Sequence, residues 1–245
     1  ESSGALRQLE LSGLEVTPYP YQEEMLEALR SEREIKDRHR NLLVAATGTG
    51  KTVVAALDYR NLCEQWKRRP RLLFVAHRKE ILHQARRTFR EVLKESDFGE
   101  LLVDGAEPHS WDFVFASVQS LNTNRLEKLD PERFEVVIID EFHHAQAPTY
   151  NALLDHFQPR ELLGLTATPE RGDGENVQKY FDYRVAHELR LWDALRLQLL
   201  VPMHYYGIAD GTDLSSLTWS RGKKDYSSRE LSEFYIKAGE KRTRF

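Results

Sequence analysis

A doubly wound α/β fold is predicted, with a parallel sheet covered by helices on both faces. Three observations predict it. Short apolar runs alternate with helical patterns along most of the 245-residue chain, the order that builds such a sheet. Runs such as Val136-Val137-Ile138-Ile139 are apolar without polar interruption, as strands buried on both faces must be. A glycine-rich turn, AATGTGKT at 45–52, joins one apolar run to a helical stretch. In folds of this kind, ligands collect at such strand ends.

The elements follow in order. Residues 42–46 are expected as a strand, 52–66 as a helix and 72–76 as a strand. A helix over 79–93 places Ile81, Leu82, Ala85, Phe89 and Val92 on one face. Strands are expected at 112–116, 135–139 and 162–166. The basic cluster Lys67-Arg68-Arg69-Pro70-Arg71 reads as a solvated turn between a helix and a strand. After Val201-Pro202 the character changes. Residues 207–228 are rich in Gly, Asp, Ser and Lys and read as a surface excursion. A last helix is expected over 228–244, with Leu231, Phe234, Tyr235 and Ala238 on one face. It ends in Lys241, Arg242 and Arg244, cations that suit a helix C-terminus.

Composition narrows the function. With 40% hydrophobic and 30% charged residues, the chain is expected to fold rather than stay disordered. No apolar run approaches the length that crosses a membrane, and no secretory signal is expected at the start. One cysteine, Cys63, excludes an internal disulfide and fits a reducing cytoplasm. A net charge of −4 gives the whole chain no electrostatic pull on nucleic acid, so any such contact must be local.

The turn matches most of the phosphate-binding pattern G-x-x-x-x-G-K-[ST]. Gly50, Lys51 and Thr52 fit it; the first glycine is replaced by Ala45, and Gly48 supplies flexibility. Backbone N–H groups across Thr47, Gly48, Thr49 and Gly50, with the helix N-terminus behind them, suit an anion. Lys51 is placed to reach the β- and γ-phosphates and Thr52 to put its hydroxyl on a magnesium ion. The second half of the site is Asp140-Glu141, directly after a buried strand. Asp140 suits the magnesium. Glu141 is placed to orient or deprotonate the attacking water. A zinc site from Asp140, Glu141, His143 and His144 is disfavoured, since adjacent histidines in an extended segment point apart.

GTGKT followed by DEFH resembles motifs I and II (Walker A and Walker B) of superfamily 2 helicases and translocases, the DExH branch. Four more stretches match in order: PYPYQEEML, FVAHRKEILHQA, FASVQSL and GLTATPER. The chain is most similar there to motor subunits of type I and type III restriction enzymes and to excision-repair helicases. The resemblance implies a RecA-like P-loop NTPase lobe, a three-layer sandwich with a mainly parallel sheet. It implies ATP and Mg2+ as ligands, with Gln22 reading the adenine edge. Tyr19 and Tyr21 are both candidates to stack on adenine, and the sequence does not choose between them. It further implies that His77, Arg78, Ser117 and Gln119 touch the phosphate backbone of a nucleic acid, with DNA favoured. Thr166 and Thr168 would then bond His143 and relay the state of the γ-phosphate.

On this resemblance the expected division is a lead-in at 1–17, the ATP-binding lobe at 18–207, and an excursion and helix at 208–245. No R-G-R-x-x-R-type arginine motif follows Arg190. The chain is therefore expected to be one lobe of a longer protein, with a second RecA-like lobe and a nuclease domain or subunit as partners. An ATP hydrolase of restriction, defence or repair is expected, nearly inactive as this piece alone. The competing class is an ATP-binding regulatory module without turnover. The presence of both Lys51 and Glu141 speaks against it.

Overall fold

A computed structural model describes residues 13, 15–142, 148–168, 180–202, 219–220 and 225–226. The helix expected over 228–244, together with His143 and Arg171, lies outside the described residues. The chain divides into two units, Glu1–Val201 and Pro202–Phe245. The second contributes one described feature, an antiparallel pairing of Trp219–Ser220 with Asp225–Tyr226.

The first unit is built on seven strands: β1 (Arg40–Ala45), β2 (Leu72–Ala76), β3 (Glu100–Leu102), β4 (Phe113–Ser117), β5 (Val136–Ile139), β6 (Glu161–Thr166) and β7 (His187–Leu189). They form one sheet in the order β3-β4-β2-β5-β6-β1-β7, and every pairing is parallel. Six helices accompany them: α1 (Pro20–Glu34), α2 (Lys51–Trp66), α3 (Lys79–Leu93), α4 (Thr123–Leu126), α5 (Pro148–His156) and α6 (Leu191–Arg196). Among the described residues, no helix is long and apolar enough to cross a membrane.

The uninterrupted apolar runs now have their reason. Alternate residues of each strand enter two separate cores. Leu43, Phe74, Phe115, Ile138 and Leu163 face one side, against Met25, Leu29, Val54, Leu57, Leu82 and Phe89 of α1, α2 and α3. Leu42, Val75, Val114, Val137 and Ile139 face the other, against Leu126, Tyr150 and Leu153 of α4 and α5. A sheet loaded on both faces leaves no polar position except at its ends. Gly164 of β6 is needed at this density: a Cβ there would lie 2.5 Å from Cζ of Phe181.

Two cations of the basic cluster after α2 are paired locally. Arg68 forms a two-pronged pair with Glu135, and Arg69 pairs with Glu95.

At the amino ends of the strands, Arg33 of α1 ties three elements together. Its two terminal nitrogens donate to Asp58 of α2 at 2.7 and 2.6 Å, and Nε donates to Glu161 of β6 at 2.9 Å. All three side chains are buried. Removing the guanidinium strands Asp58 in low dielectric and leaves Glu161 with His39 alone, a loss that typically costs ~3–5 kcal/mol. Arg33→Leu should destabilise the chain by about that much, read as a lowered urea midpoint. A midpoint within error of the parent would mean the trio is not holding α1 to the sheet.

Candidate functional site

Parallel strands with one direction put all their carboxyl ends on one edge. The order β2-β5-β6-β1 therefore brings four predicted stretches side by side. β1 runs into the glycine-rich turn, β6 into Thr166–Thr168, β5 into Asp140-Glu141, and β2 into His77-Arg78.

The turn is held in shape by glycine and by α1. Gly48 and Gly50 have φ of +90° and +80°, the left-handed region that glycine enters without strain. Gly50 is the N-cap of α2, and no side chain caps that end. The free N–H groups and the positive dipole of a 16-residue helix thus face the turn. Thr47 and Gly48 are exposed at its tip. Thr49 is turned inward instead. Its hydroxyl donates to Ala46 O at 2.8 Å, and its carbonyl accepts from both the Tyr21 hydroxyl and Gln22 Nε2 at 3.1 Å.

Gln22 is 3% exposed. Its amide oxygen accepts from the Tyr19 N–H at 3.1 Å, which closes the start of α1 behind Pro20. Both ends of this amide are therefore engaged by the protein, one of them with the turn. A Cβ on Gly50 would fall 2.6 Å from Gln22 Nε2, so the glycine and the glutamine require each other. The two tyrosines stack in parallel, with centroids 5.9 Å apart. Tyr19 is 66% exposed, while Tyr21 is tied to the turn. The sequence pattern singled out Gln22 and the tyrosine pair, but not this bracing role for Tyr21. No periodicity carries it, because it depends on where α1 lands. The same holds for Leu200, whose Cδ2 lies 3.1 Å from a Cβ built on Gly48.

Lys51, Thr52, Asp140 and Glu141 come together. Lys51 Nζ donates to Ala45 O at 2.9 Å and lies in the field of both carboxylates. Burial holds its ammonium below its ordinary value, against the pull of Asp140 and Glu141. Asp140 is 5% exposed. Burial raises its carboxyl above the usual range, opposed by the Glu141 N–H, by Lys51 and by the Thr52 hydroxyl. Each charge is thus strained toward neutrality by burial and kept by its neighbours. The Asp140 N–H donates to Val75 O at 2.9 Å, and Asp140 Oδ1 accepts the Glu141 N–H at 2.8 Å. Glu141 takes a left-handed φ of +55°. Such a conformation is uncommon for a side-chain-bearing residue and recurs at functional sites.

Two hard oxygen donors, the Thr52 hydroxyl and the Asp140 carboxylate, lie close enough that the hydroxyl helps hold the carboxylate charged. That donor set fits magnesium, which binds few protein oxygens and otherwise phosphate and water. Among the described residues, no group of three His, Cys, Asp or Glu is placed to cage a metal.

A cleft of about 370 Å³ beside Glu141 is lined by His77, Arg78, Glu80 and Ile81. Arg78 is the exposed N-cap residue of α3. Gln119 Nε2 lies 2.9 Å from His77 Nδ1, so two separate sequence stretches meet on the surface. Ser117 is different. It is buried, and its hydroxyl accepts the Ser120 N–H at 3.1 Å, capping the 3-10 turn Val118–Ser120. Thr166 is fully buried and its hydroxyl donates to the carbonyl of Thr168, whose side chain is exposed.

Comparison with known proteins gives the family and the fold. Residues 15–171 match the family described as type III restriction enzyme, res subunit. A protein of Schizosaccharomyces pombe named as a mitochondrial ATP-dependent helicase, irc3, is 33% identical over 205 residues, 80% of this chain and 33% of that protein. Two solved structures share the fold. One is a nuclease-deletion mutant of the Type ISP restriction-modification enzyme LlaGI with a DNA substrate mimic; its TM-score is 0.60 at 17% identity, over 75% of this chain and 21% of that one. The other is a fragment named as an HsdR subunit of a type I restriction enzyme from Vibrio vulnificus; its TM-score is 0.54 at 25% identity, over 73% and 31%. The chain spans about a third of the length of the curated relatives it matches.

Proposed function

On the premise that the chain belongs to the type III restriction enzyme res-subunit family, we propose that it is the first, ATP-binding motor lobe of a nucleic-acid-dependent ATPase. One observation carries the reading. The turn with Lys51 and Thr52, and the carboxylates of Asp140 and Glu141, converge on one edge of the sheet. The roles follow from chemistry. The N–H groups of the turn and the first turn of α2 hold the β-phosphate, and Lys51 swings from Ala45 O to the β- and γ-oxygens. Thr52 and Asp140 hold magnesium; when bound, that ion draws off charge developing on the phosphate oxygens. Glu141 takes the proton of the attacking water. Tyr19, exposed and backed by Tyr21, is the ring placed to stack on adenine. Gln22 is proposed as the adenine reader, which requires its Nε2 to exchange the bond to Thr49 O for one to the base.

The nucleic acid is proposed to be DNA, in keeping with the restriction-enzyme relatives. Arg78 and the His77–Gln119 pair are its phosphate contacts on this lobe, beside the cleft that Glu141 shares. Such contacts position the backbone without reading bases, so binding is sequence-tolerant and weakens with salt. Thr166, at the end of β6 between the strands that carry the turn and the acids, and Thr168 just after it are proposed to relay the nucleotide state. The partners are a second motor lobe and a nuclease domain or subunit, in a reducing compartment such as the cytoplasm. Nothing favours the turnover-free regulatory module, since both Lys51 and Glu141 are in place.

The test of the binding half is Lys51→Ala. It removes a charge-assisted contact to phosphate, which is among the stronger hydrogen bonds. ATP affinity, measured by calorimetry, should fall by well over tenfold, a loss above about 1.4 kcal/mol. Affinity within twofold of the parent, about 0.4 kcal/mol, would count against the phosphate loop.

A further inference from the structure

The ends of β2 and β5 are closer than two separate sites need to be. The two strands pair in register up to Val75 and Ile139, and the Asp140 N–H extends that ladder to Val75 O at 2.9 Å. His77 and Glu141 are therefore each two residues past one matched pair, on neighbouring strands about 4.8 Å apart. On the other side of β2, Ala76 is matched with Ser117 of β4, and Gln119 Nε2 comes back to His77 Nδ1 at 2.9 Å. Gln119, His77 and Glu141 thus stand in one row across three strand ends. The cleft of about 370 Å³ lined by His77, Arg78, Glu80, Ile81 and Glu141 opens on this row.

The charges of that cleft oppose one another. Arg78 brings a cation, exposed at the start of α3, and no side chain caps the helix N–H groups behind it. Glu141 and Glu80 bring two carboxylates. An anion that enters is drawn by the first and repelled by the others, so it cannot be seated without acting on Glu141. Glu141 belongs to both sites. It is the proposed base of the nucleotide site and, half-buried, a wall of this cleft. Without a strand, the cation beside it in the cleft is Arg78.

We infer that this cleft is where a nucleic-acid strand acts on hydrolysis: a backbone phosphate seated on Arg78 takes over the cation that draws Glu141 into the cleft, and its own charge turns the carboxylate toward the nucleotide. Arg78 is then a positioning residue as well as a phosphate contact, and it acts on the attacking water only through Glu141. The inference rests on the motor-lobe reading. It adds a direct route, separate from the one through Thr166 and Thr168. Coupling of this kind is reciprocal, so the charge of Glu141 must in turn weaken the binding of a strand.

The experiment follows a fluorescein-labelled single-stranded oligodeoxynucleotide by anisotropy, with the 245-residue chain and no nucleotide, at low and at physiological salt. Glu141→Gln should bind it about fivefold more tightly at low salt, because a like charge leaves the cleft. The gain should shrink as salt rises. Glu132→Gln, which removes an exposed carboxylate ahead of β5 at the opposite edge of the sheet, controls for net charge and should bind like the parent. Arg78→Gln should bind more weakly than the parent. In the proposed two-lobed protein, Arg78→Gln should also hydrolyse ATP about threefold faster than the parent when DNA is absent, the size of a screened charge contact. Saturating DNA should add little to that rate. Strand affinity of Glu141→Gln within twofold of the parent, beside an Arg78→Gln variant that binds weakly, overturns the direct route and leaves Arg78 a phosphate contact alone. Parental DNA-free turnover in Arg78→Gln, with full stimulation recovered at higher DNA concentration, overturns it as well. If the parent chain binds no strand at low salt, the nucleic-acid reading fails and takes this inference with it.

Discussion

Glu141→Gln should leave magnesium-ATP binding intact and slow hydrolysis in the proposed two-lobed protein by roughly 10²–10⁴, the usual worth of a general base. The substitution keeps the size and a hydrogen-bonding end, so the backbone around it should not move. That backbone is well determined. Asp140 is anchored to β2 through Val75 O, and its carboxylate holds the Glu141 N–H at 2.8 Å. The pair fixes Glu141 at φ +55°, a conformation costing on the order of 1–3 kcal/mol that surrounding bonds must offset. The consequence is direction: the side chain leaves the buried strand and borders the cleft beside His77 and Arg78. Single-turnover hydrolysis and equilibrium binding, measured on the same preparation, separate the two effects. Normal hydrolysis by the variant would remove Glu141 from the water-activating role. Loss of binding as well would make it a ligand-holding residue rather than a base.

The inner strands were legible because they are buried on both faces. Each of β1, β2, β4, β5 and β6 lies within two residues of its expected bounds, and α3 coincides with its pattern. The edge strands β3 and β7 were not legible. They are three residues long, and Glu100 and His187 to Leu189 mix charged with apolar side chains at a half-covered edge. No period survives in three residues. Among site residues, the types were readable and the bonding was not. Gln22 was singled out only by the resemblance of PYPYQEEML to the family's glutamine motif. That its amide bonds Thr49 O and the Tyr19 N–H depends on the docking of α1, which Arg33 fixes from the far end of that helix. Ser117 carries the same lesson: the family resemblance implies a phosphate contact for it, while its role as a turn cap shows only in the fold.

Turnover by the 245-residue chain alone should be slower than that of a protein with both lobes by about 10³–10⁵, the worth of an arginine at the transition state. In the proposed reading, the lobe offers the phosphate loop, the donors for magnesium and the base. Charge that develops on the transferred phosphoryl group needs one further cation, aimed at its oxygens. Lys51 cannot supply both that and the ground-state contact. Among the described arginines, Arg33 is spent at the opposite edge of the sheet, and Arg68 and Arg69 are paired with glutamates. Arg78 borders the Glu141 cleft from the side assigned to nucleic acid. The sequence holds no R-G-R-x-x-R-type motif after Arg190. In the proposed arrangement, the missing cation comes from the second lobe across the cleft. Strand binding should be weak for a related reason: one lobe gives half of the phosphate contacts, and the net charge of −4 opposes the rest. The measurement is steady-state hydrolysis by the purified chain, alone and with single-stranded or duplex DNA. DNA-stimulated turnover near 1 s⁻¹ or above, on the order of ordinary enzymes, would mean that the site is complete without another lobe. Arg171→Ala and Arg78→Ala would then show which arginine completes it, and loss of activity on dilution would point instead to an arginine from a second copy.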